Sequence, residues 1–206
     1  MAAKRVEVGP VADGFIESAG AAIARAFQDQ PILRYTLPDP TERARRAPAL
    51  FAQGLRYARL VGAAFAPVES PTGAAFGWPI PTADPTPEQA AAAGLEPLAD
   101  LLGEAAYGRF AALTGYVDEQ QARLIPPPCW NLSALGVDPA YQGQGIGSAL
   151  VRAFLARSFA DGMPMGLWTD KPANVSFYCG LGLEIVGEGV APGSGVQYWI
   201  FRRDPV

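Results

Sequence analysis

Val137-Asp138-Pro139-Ala140-Tyr141-Gln142-Gly143-Gln144-Gly145-Ile146-Gly147-Ser148 is the stretch on which the fold turns. Before it, Trp130–Val137 reads as a strand. After it, Gly145–Phe159 reads as a helix, with Ile146, Leu150, Phe154 and Leu155 on one apolar face. Met165–Thr169 is then a second strand, and strand, helix and strand in that order imply a parallel pair with a right-handed crossover. Glycines at the strand-to-helix junction let the backbone approach a ligand and adopt positive φ. The free N–H groups and positive dipole end of the helix suit a phosphate, so the loop predicts an anion of the pyrophosphate kind. A P-loop would need Gly-Lys-Ser/Thr, and no lysine is present in the stretch. The dinucleotide fingerprint needs G-x-G-x-x-G, whereas Gly143, Gly145 and Gly147 are spaced by two. A glycine-rich turn without a ligand remains open from the loop alone.

Outward from the loop, the N-terminal half alternates helix and hairpin signals. Residues 6–11, VEVGPV, form a short strand. Phe15, Ala19, Ile23, Ala26 and Phe27 recur at helical spacing, and that helix is expected to stop near Pro31. Asp39-Pro40-Thr41-Glu42 supplies a cap, a proline and an early acid for a second helix through Leu50, Leu55 and Leu60. Gly62–Val68 and Ala74–Ile80 read as a hairpin around Glu69–Gly73. Residues 81–128, rich in alanine, proline and acids, read as a helical insert between sheet strands, with Thr86 as cap and Pro87 at the first helical position. Beyond the parallel pair come a short helix, Pro172–Cys179, and a terminal hairpin of Glu184–Glu188 and Gln197–Arg202. Residues 1–206 are read as one domain, at a length comfortable for a single core.

Composition excludes several chemistries. Half of the residues are hydrophobic and 17% are charged, so burial can offset chain entropy. The net charge is −4, and the sole basic cluster, Arg43, Arg45 and Arg46, reads as the solvated face of a helix. A nucleic-acid partner, which needs a dense basic stripe, is therefore not expected. Histidine is absent, and Cys129 and Cys179 are fifty positions apart, so neither a zinc site nor a His-dependent triad is expected. No window reaches the about 18 apolar residues of a membrane span, and the N-terminus has no apolar signal core. A cytoplasmic setting without membrane contact is the resulting expectation.

A second motif lies downstream: Asn174-Val175-Ser176-Phe177-Tyr178-Cys179-Gly180-Leu181-Gly182-Leu183. Four residues apart, Asn174 and Tyr178 share a helix face. The pattern Gln142-x-x-Gly145-x-Gly147 after Val137-Asp138-Pro139, followed by this segment, resembles the two signatures of the GNAT superfamily of N-acetyltransferases. The resemblance covers roughly Trp130 to Arg203, and the chain's C-terminal third looks like the puromycin N-acetyltransferase branch. It implies a mixed, mostly antiparallel α/β sheet flanked by helices, in which the parallel pair splays apart. It also implies acetyl-CoA as acyl donor, bound by Gln142, Gly143, Gln144, Gly145, Ile146, Gly147 and Ser148. Asn174 would bond the pantetheine arm, and Tyr178 would protonate the departing thiolate. The strand Leu135-Gly136-Val137 would offer N–H groups to the thioester carbonyl; one such donor is worth about 2.7–4 kcal/mol.

The function that follows is direct transfer of acetyl from acetyl-CoA to an amine of a small molecule, without a metal; a homodimer is compatible with it. The sequence departs from the pattern at Leu183, where phenylalanine is usual, and at Trp168, where relatives tend to carry a glutamate. The general base is thus unassigned, with Asp118, Glu119 and Asp29 as candidates beside a chain of waters. Trp78 and Trp168 serve equally well as walls of an apolar acceptor pocket or as core. Cys129 has nothing nearby to lower its pKa and is rejected as an acyl carrier. The alternative class is an acyl-CoA-binding module that no longer transfers, and a third reading is acetylation of a protein N-terminus, which would need an open groove.

Overall fold

The structure is a computed structural model, and it describes residues 6–205. The first five residues, which precede the predicted first strand, and Val206 lie outside this range.

Seven strands form one sheet in the order β1 (Val8–Pro10), β2 (Ala63–Pro67), β3 (Gly73–Ile80), β4 (Cys129–Val137), β5 (Met165–Thr169), β7 (Gln197–Arg203) and β6 (Glu184–Val190). Every neighbouring pair is antiparallel except β4 and β5. The sheet is thus mixed and mostly antiparallel with one parallel pair. The parallel ladder is confined to Trp130↔Met165 and Asn131↔Gly166, so β4 and β5 diverge beyond their first residues. A cause is visible in β4. Phe76 pairs with Ala134 and Gly77 with Leu132, which leaves Ser133 as an extra residue opposite none. Such a bulge bends its strand and raises the local twist.

Alternation along the strands assigns the helices to faces. Ala74 and Phe76 join the core formed by α1 (Ile16–Phe27) and α3 (Pro40–Val61), whereas Ala75 between them joins the core under α7 (Ile146–Ala160). On β5, Met165 and Leu167 likewise face α7. Gly166 faces the other way, where an added Cβ would lie 2.8 Å from Ile125 Cδ1 and 3.1 Å from Gln121 Nε2. Those residues belong to the end of α6 (Glu104–Leu124) and the turn after it. One face therefore carries α7; the other carries α1 with α3 over β2–β4, and α6 over β5–β7. Trp130 fastens α7 to β4: its indole donates to Asp161 at 2.9 Å, and Arg157 lies over the ring at 5.3 Å.

Local chemistry sets the helix ends. The Asp39 carboxylate accepts from the amides of Thr41 and Glu42 at 2.7 and 2.9 Å, with Pro40 opening α3. Thr86 and Gln89 form a reciprocal capping box at α4 (Pro87–Ala92), which is followed by α5 (Leu98–Leu102) and then α6. Two expectations are corrected. Pro31 does not end the first helix, which stops at Phe27; it opens α2 (Pro31–Thr36), where its missing N–H costs nothing. The arginine cluster is not a solvated face, because Arg43 is buried and donates to the carbonyls of Leu37 and Pro38 at 2.6 and 3.1 Å. Arg46 likewise reaches Leu101 O at 2.8 Å, and of the three only Arg45 is exposed. Among the described residues no helix is long and apolar enough to cross a membrane.

Candidate functional site

The loop after β4 enters a 3-10 turn at Pro139–Tyr141, capped by Asp138, whose carboxylate accepts from Ala140 N at 3.0 Å. The other carboxylate oxygen of Asp138 receives Arg25 of α1 at 2.7 Å. Burial pushes this carboxyl up, but the Ala140 amide and the Arg25 guanidinium outweigh it and hold the pKa below the ordinary Asp value. The Gln142 side-chain amide donates to Val137 O at 3.0 Å and ties the loop back to the end of β4. Gly143 and Gly145 take φ of 76° and 82°, and a Cβ on either would meet open space. Here glycine serves backbone conformation and an unobstructed approach. The first intrahelical bond of α7 runs from Ala149 N to Gly145 O, so the amides of Ile146, Gly147 and Ser148 are the orphan donors of its first turn. Gln142–Gly145 are exposed. The arrangement can receive a phosphate.

Gly147 joins this loop to the second motif: an added Cβ would lie 3.3 Å from Phe177 Cζ, on α8 (Ala173–Gly180). On that helix Asn174 is half-buried and donates to Thr169 Oγ1 at 3.0 Å, which leaves its carbonyl oxygen to accept. Tyr178 is 6% exposed, with its ring against Phe177 and Phe201 at centroid distances of 5.0 and 5.3 Å. Burial, and secondarily the charge of Asp170, push the Tyr178 phenol well above its ordinary pKa, so it keeps its proton throughout the neutral range. Asp170 is itself buried and accepts from Ile32 N at 2.6 Å, tying the end of β5 to α2. On β4, Gly136 pairs with Ala74 and lies under α1, where a Cβ would come within 2.8 Å of Ile23 Cα. Val137 pairs with Gly73.

A cavity of about 610 Å³ opens where β4 and β5 part. Leu135, Asn174 and Tyr178 line one end. From there it runs between α3 and α6, past Phe76, Trp78 and Tyr57, to Pro85, Leu95 and Leu98 of the segment between β3 and β4. Trp78 meets Tyr57 edge-on at 5.0 Å, so aromatic rings form part of the wall. Trp168 also lines the cavity, which makes both tryptophans walls rather than closed core. The loop residues from Gln142 to Ser148 lie outside the cavity, on the α7 side of the opening.

The three candidate bases are separated by position. Asp29 is exposed and does not line the cavity; Glu119 is exposed and paired with Arg123 at 2.6 Å. Asp118 does line it, and its Oδ1 receives the Trp168 indole N–H at 3.1 Å. The residue is exposed, yet desolvation by the surrounding protein pushes its carboxyl up to about 6; the Trp168 hydrogen bond opposes that rise. The thiol of Cys129 also lines the cavity, and burial pushes it up against a weaker opposing effect of Arg202, so it is not poised as a nucleophile.

Sequence reading missed the Ser133 bulge and the junction of Asp118 with Trp168. The bulge has no compositional mark inside an alternating strand. The junction links positions fifty residues apart, and only the packing of α6 on β5 creates it.

Comparison with known proteins agrees with this architecture. N-alpha-acetyltransferase RimI of Mycobacterium tuberculosis is 33% identical over 94 residues, which are 45% of this chain and 60% of that protein. The chain therefore spans less than two thirds of that relative. The crystal structure titled histone acetyltransferase HPA2 and related acetyltransferase from Corynebacterium glutamicum superposes with a TM-score of 0.65 at 19% identity, over 97% of this chain and 96% of that one. A polyamine N-acetyltransferase from Drosophila melanogaster gives 0.61 at 17% identity, over 96% and 99%. At such identities these two likenesses speak for the fold. The profile of the Acetyltransferase (GNAT) family matches residues 72–182, from the β2–β3 turn through the Asn174–Tyr178 helix, more than half of the sequence. The chain belongs to the Acetyltransferase (GNAT) family.

Proposed function

We propose that the protein transfers the acetyl group of acetyl-CoA directly to the amine of a small molecule. The observation that carries the reading is the meeting of two halves at the parted β4–β5 pair. On one side are the glycine loop and the orphan amides of α7; on the other is a cavity of about 610 Å³. Leu135, Asn174 and Tyr178 stand at their junction.

On this reading the donor's pyrophosphate sits on the α7 amides above Gly143 and Gly145, with Gln142, Gln144, Ile146, Gly147 and Ser148 completing the loop. Such a helix terminus favours anions by charge and by hydrogen bonding. The pantetheine arm lies in the gap between β4 and β5, where Asn174 offers its carbonyl. Leu135, Gly136 and Val137 form the strand beside the thioester, whose developing negative charge backbone N–H groups there stabilise. Tyr178 is the acid: burial keeps its proton in place, and it reaches the cavity where the thiolate leaves. Residues 1–206 act as one catalytic unit.

A small acceptor is favoured over a protein N-terminus because Pro85, Leu95 and Leu98 of the 81–128 segment add to the cavity's lining. Asp118 supplies a carboxylate against Trp168, which favours transfer over a binding module. Incubation with acetyl-CoA and a panel of primary amines, with peptides bearing free N-termini as a separate arm, tests the reading by release of thiol. Amine-dependent release is expected in the small-molecule arm. Release only with peptides would move the function to protein N-termini, and tight CoA binding without release in either arm would make the protein a binding module.

A further inference from the structure

Helix α6 presents Asp118 and Gln121, three residues apart, to the same stretch of cavity wall. Gln121 is buried; its amide N–H donates to Asn131 Oδ1 at 3.0 Å, and its Oε1 has no partner. The Trp168 indole holds Asp118 Oδ1 at 3.1 Å, and Oδ2 is without a protein partner among the described residues. A carboxylate with one unpaired oxygen thus stands on a cavity wall that also carries Phe76, Trp78, Phe110 and Ile125. A free carboxylate oxygen is a strong acceptor for a charged donor from a ligand.

From this we infer that Asp118 is the general base of the reaction, receiving the acceptor as an ammonium on an apolar body, with Trp168 as the positioning residue. The inference rests on the transferase reading above and adds to it the base and the class of acceptor. The insert helix supplies from across the cavity the carboxylate that β5 lacks at Trp168.

The proton balance closes without a further reactant. Asp118 takes one proton from the ammonium and leaves a neutral amine with a free electron pair. The nitrogen forms a bond to the thioester carbonyl carbon, and the carbon–sulfur bond breaks with its electron pair going to sulfur. Tyr178 gives that sulfur a proton. The second nitrogen proton returns to Tyr178 through water, and Asp118 releases its own to solvent. The sum is amide, free thiol and one proton.

The carboxyl of Asp118 is suited to this work, because a base titrating near 6 is ionised at neutral pH yet still a useful proton acceptor. The titratable or charged groups on elements packed against α6 are Arg34 and Tyr35 on α2, Asp100 on α5, and Glu184 and Glu188 on β6. Tyr198 stands on β7, and Asp170 follows β5. Within α6 the neighbours are Tyr116, Glu119 and Arg123, and the cavity adds Glu96, Tyr57, Cys129 and Tyr178. None of these is among the causes of the Asp118 shift, which are desolvation and the Trp168 hydrogen bond.

The test is the pH profile of kcat/KM for the amine giving the strongest thiol release with wild type. Wild type should show an acidic limb near pH 6. Asp118→Asn should lower the rate at neutral pH by about 10²-fold or more, remove that limb, and leave CoA affinity in calorimetry unchanged. Trp168→Phe removes a hydrogen bond that favours the carboxylate, so the limb should move to higher pH; a purely structural tryptophan would lower the rate without moving it. Glu119→Gln should match wild type. Carbon-13 titration of the Asp118 carboxyl in the unmodified protein reads the same ionisation without any substitution. The inference is overturned if Asp118→Asn keeps both rate and limb, or if the carboxyl titrates at an ordinary aspartate value. Absence of thiol release by wild type with every amine would instead overturn the transferase reading itself.

Discussion

Replacing Tyr178 by phenylalanine separates packing from chemistry at the one buried phenol of the site. The ring is held by Phe177 and Phe201 at 5.0 and 5.3 Å, and phenylalanine keeps both contacts. Only the hydroxyl at the cavity surface is lost, so stability should change by no more than about 1.5 kcal/mol. The rate is a different matter. A positioned general acid contributes about 10²–10⁴-fold, or about 2.7–5.4 kcal/mol of barrier. Turnover in a thiol-release assay should therefore fall by at least 10²-fold while CoA affinity and the unfolding midpoint hold. The pKa gives a further handle: burial and Asp170 raise it, so the phenol stays protonated through the neutral range and contributes no basic limb there. A donor with a more acidic thiol needs less help in leaving. With an acetyl thioester of an aromatic thiol, the deficit of Tyr178→Phe should shrink. Full turnover by the variant, or a deficit that is the same with both donors, would refute the assignment of Tyr178 as acid.

Three substitutions and one control examine the frame around the site. Gly145→Val places a β-branched residue at φ of 82°, where the Cβ meets open space and the penalty is in the backbone alone; it should cost about 1–2 kcal/mol in denaturant unfolding and weaken CoA binding in calorimetry. Asp138→Asn keeps the cap on the 3-10 turn but loses the ion pair with half-exposed Arg25, so the cost at pH 7 should stay under about 1 kcal/mol. Because the folded pKa of Asp138 is depressed, its contribution is fully present above the unfolded Asp value of about 3.9 and is lost as pH falls through the folded value. The stability difference between wild type and variant should therefore vanish in acid. Arg43→Ala strips the donors from the carbonyls of Leu37 and Pro38 and should cost about 1–3 kcal/mol in urea unfolding, against almost nothing for exposed Arg45→Ala.

The glycine loop and the helix that meets it were legible in the sequence because their signals are local. Gly143 and Gly145 mark positive φ, Ile146, Leu150 and Phe154 mark the buried face of α7, and Asn174 and Tyr178 lie one turn apart. The parallel pair followed from strand, helix and strand in succession, and the mixed, mostly antiparallel sheet around it from the family resemblance. The arginine cluster was readable but misread: Arg43, Ala47 and Leu50 share the buried stripe of α3, so helical spacing already placed Arg43 inside. Pro31 was ambiguous, since proline both ends one helix and opens the next. The lining of the cavity was not legible. Asp118 is one acid among several on a polar helix, and its role in the cavity depends on α6 crossing β5 at Trp168. Ser133 is equally silent, because a bulge is a matter of register between two strands and not of composition.

Product analysis of a complete reaction tests the central claim most directly. Wild-type protein, acetyl-CoA and the best amine of the panel are incubated, and free thiol and acetylated amine are quantified together by mass spectrometry. The account predicts one amide for each thiol released, no release when the amine is omitted, and loss of both products together in Tyr178→Phe. Thiol release without amide, or amide formed equally well by Tyr178→Phe, would contradict it.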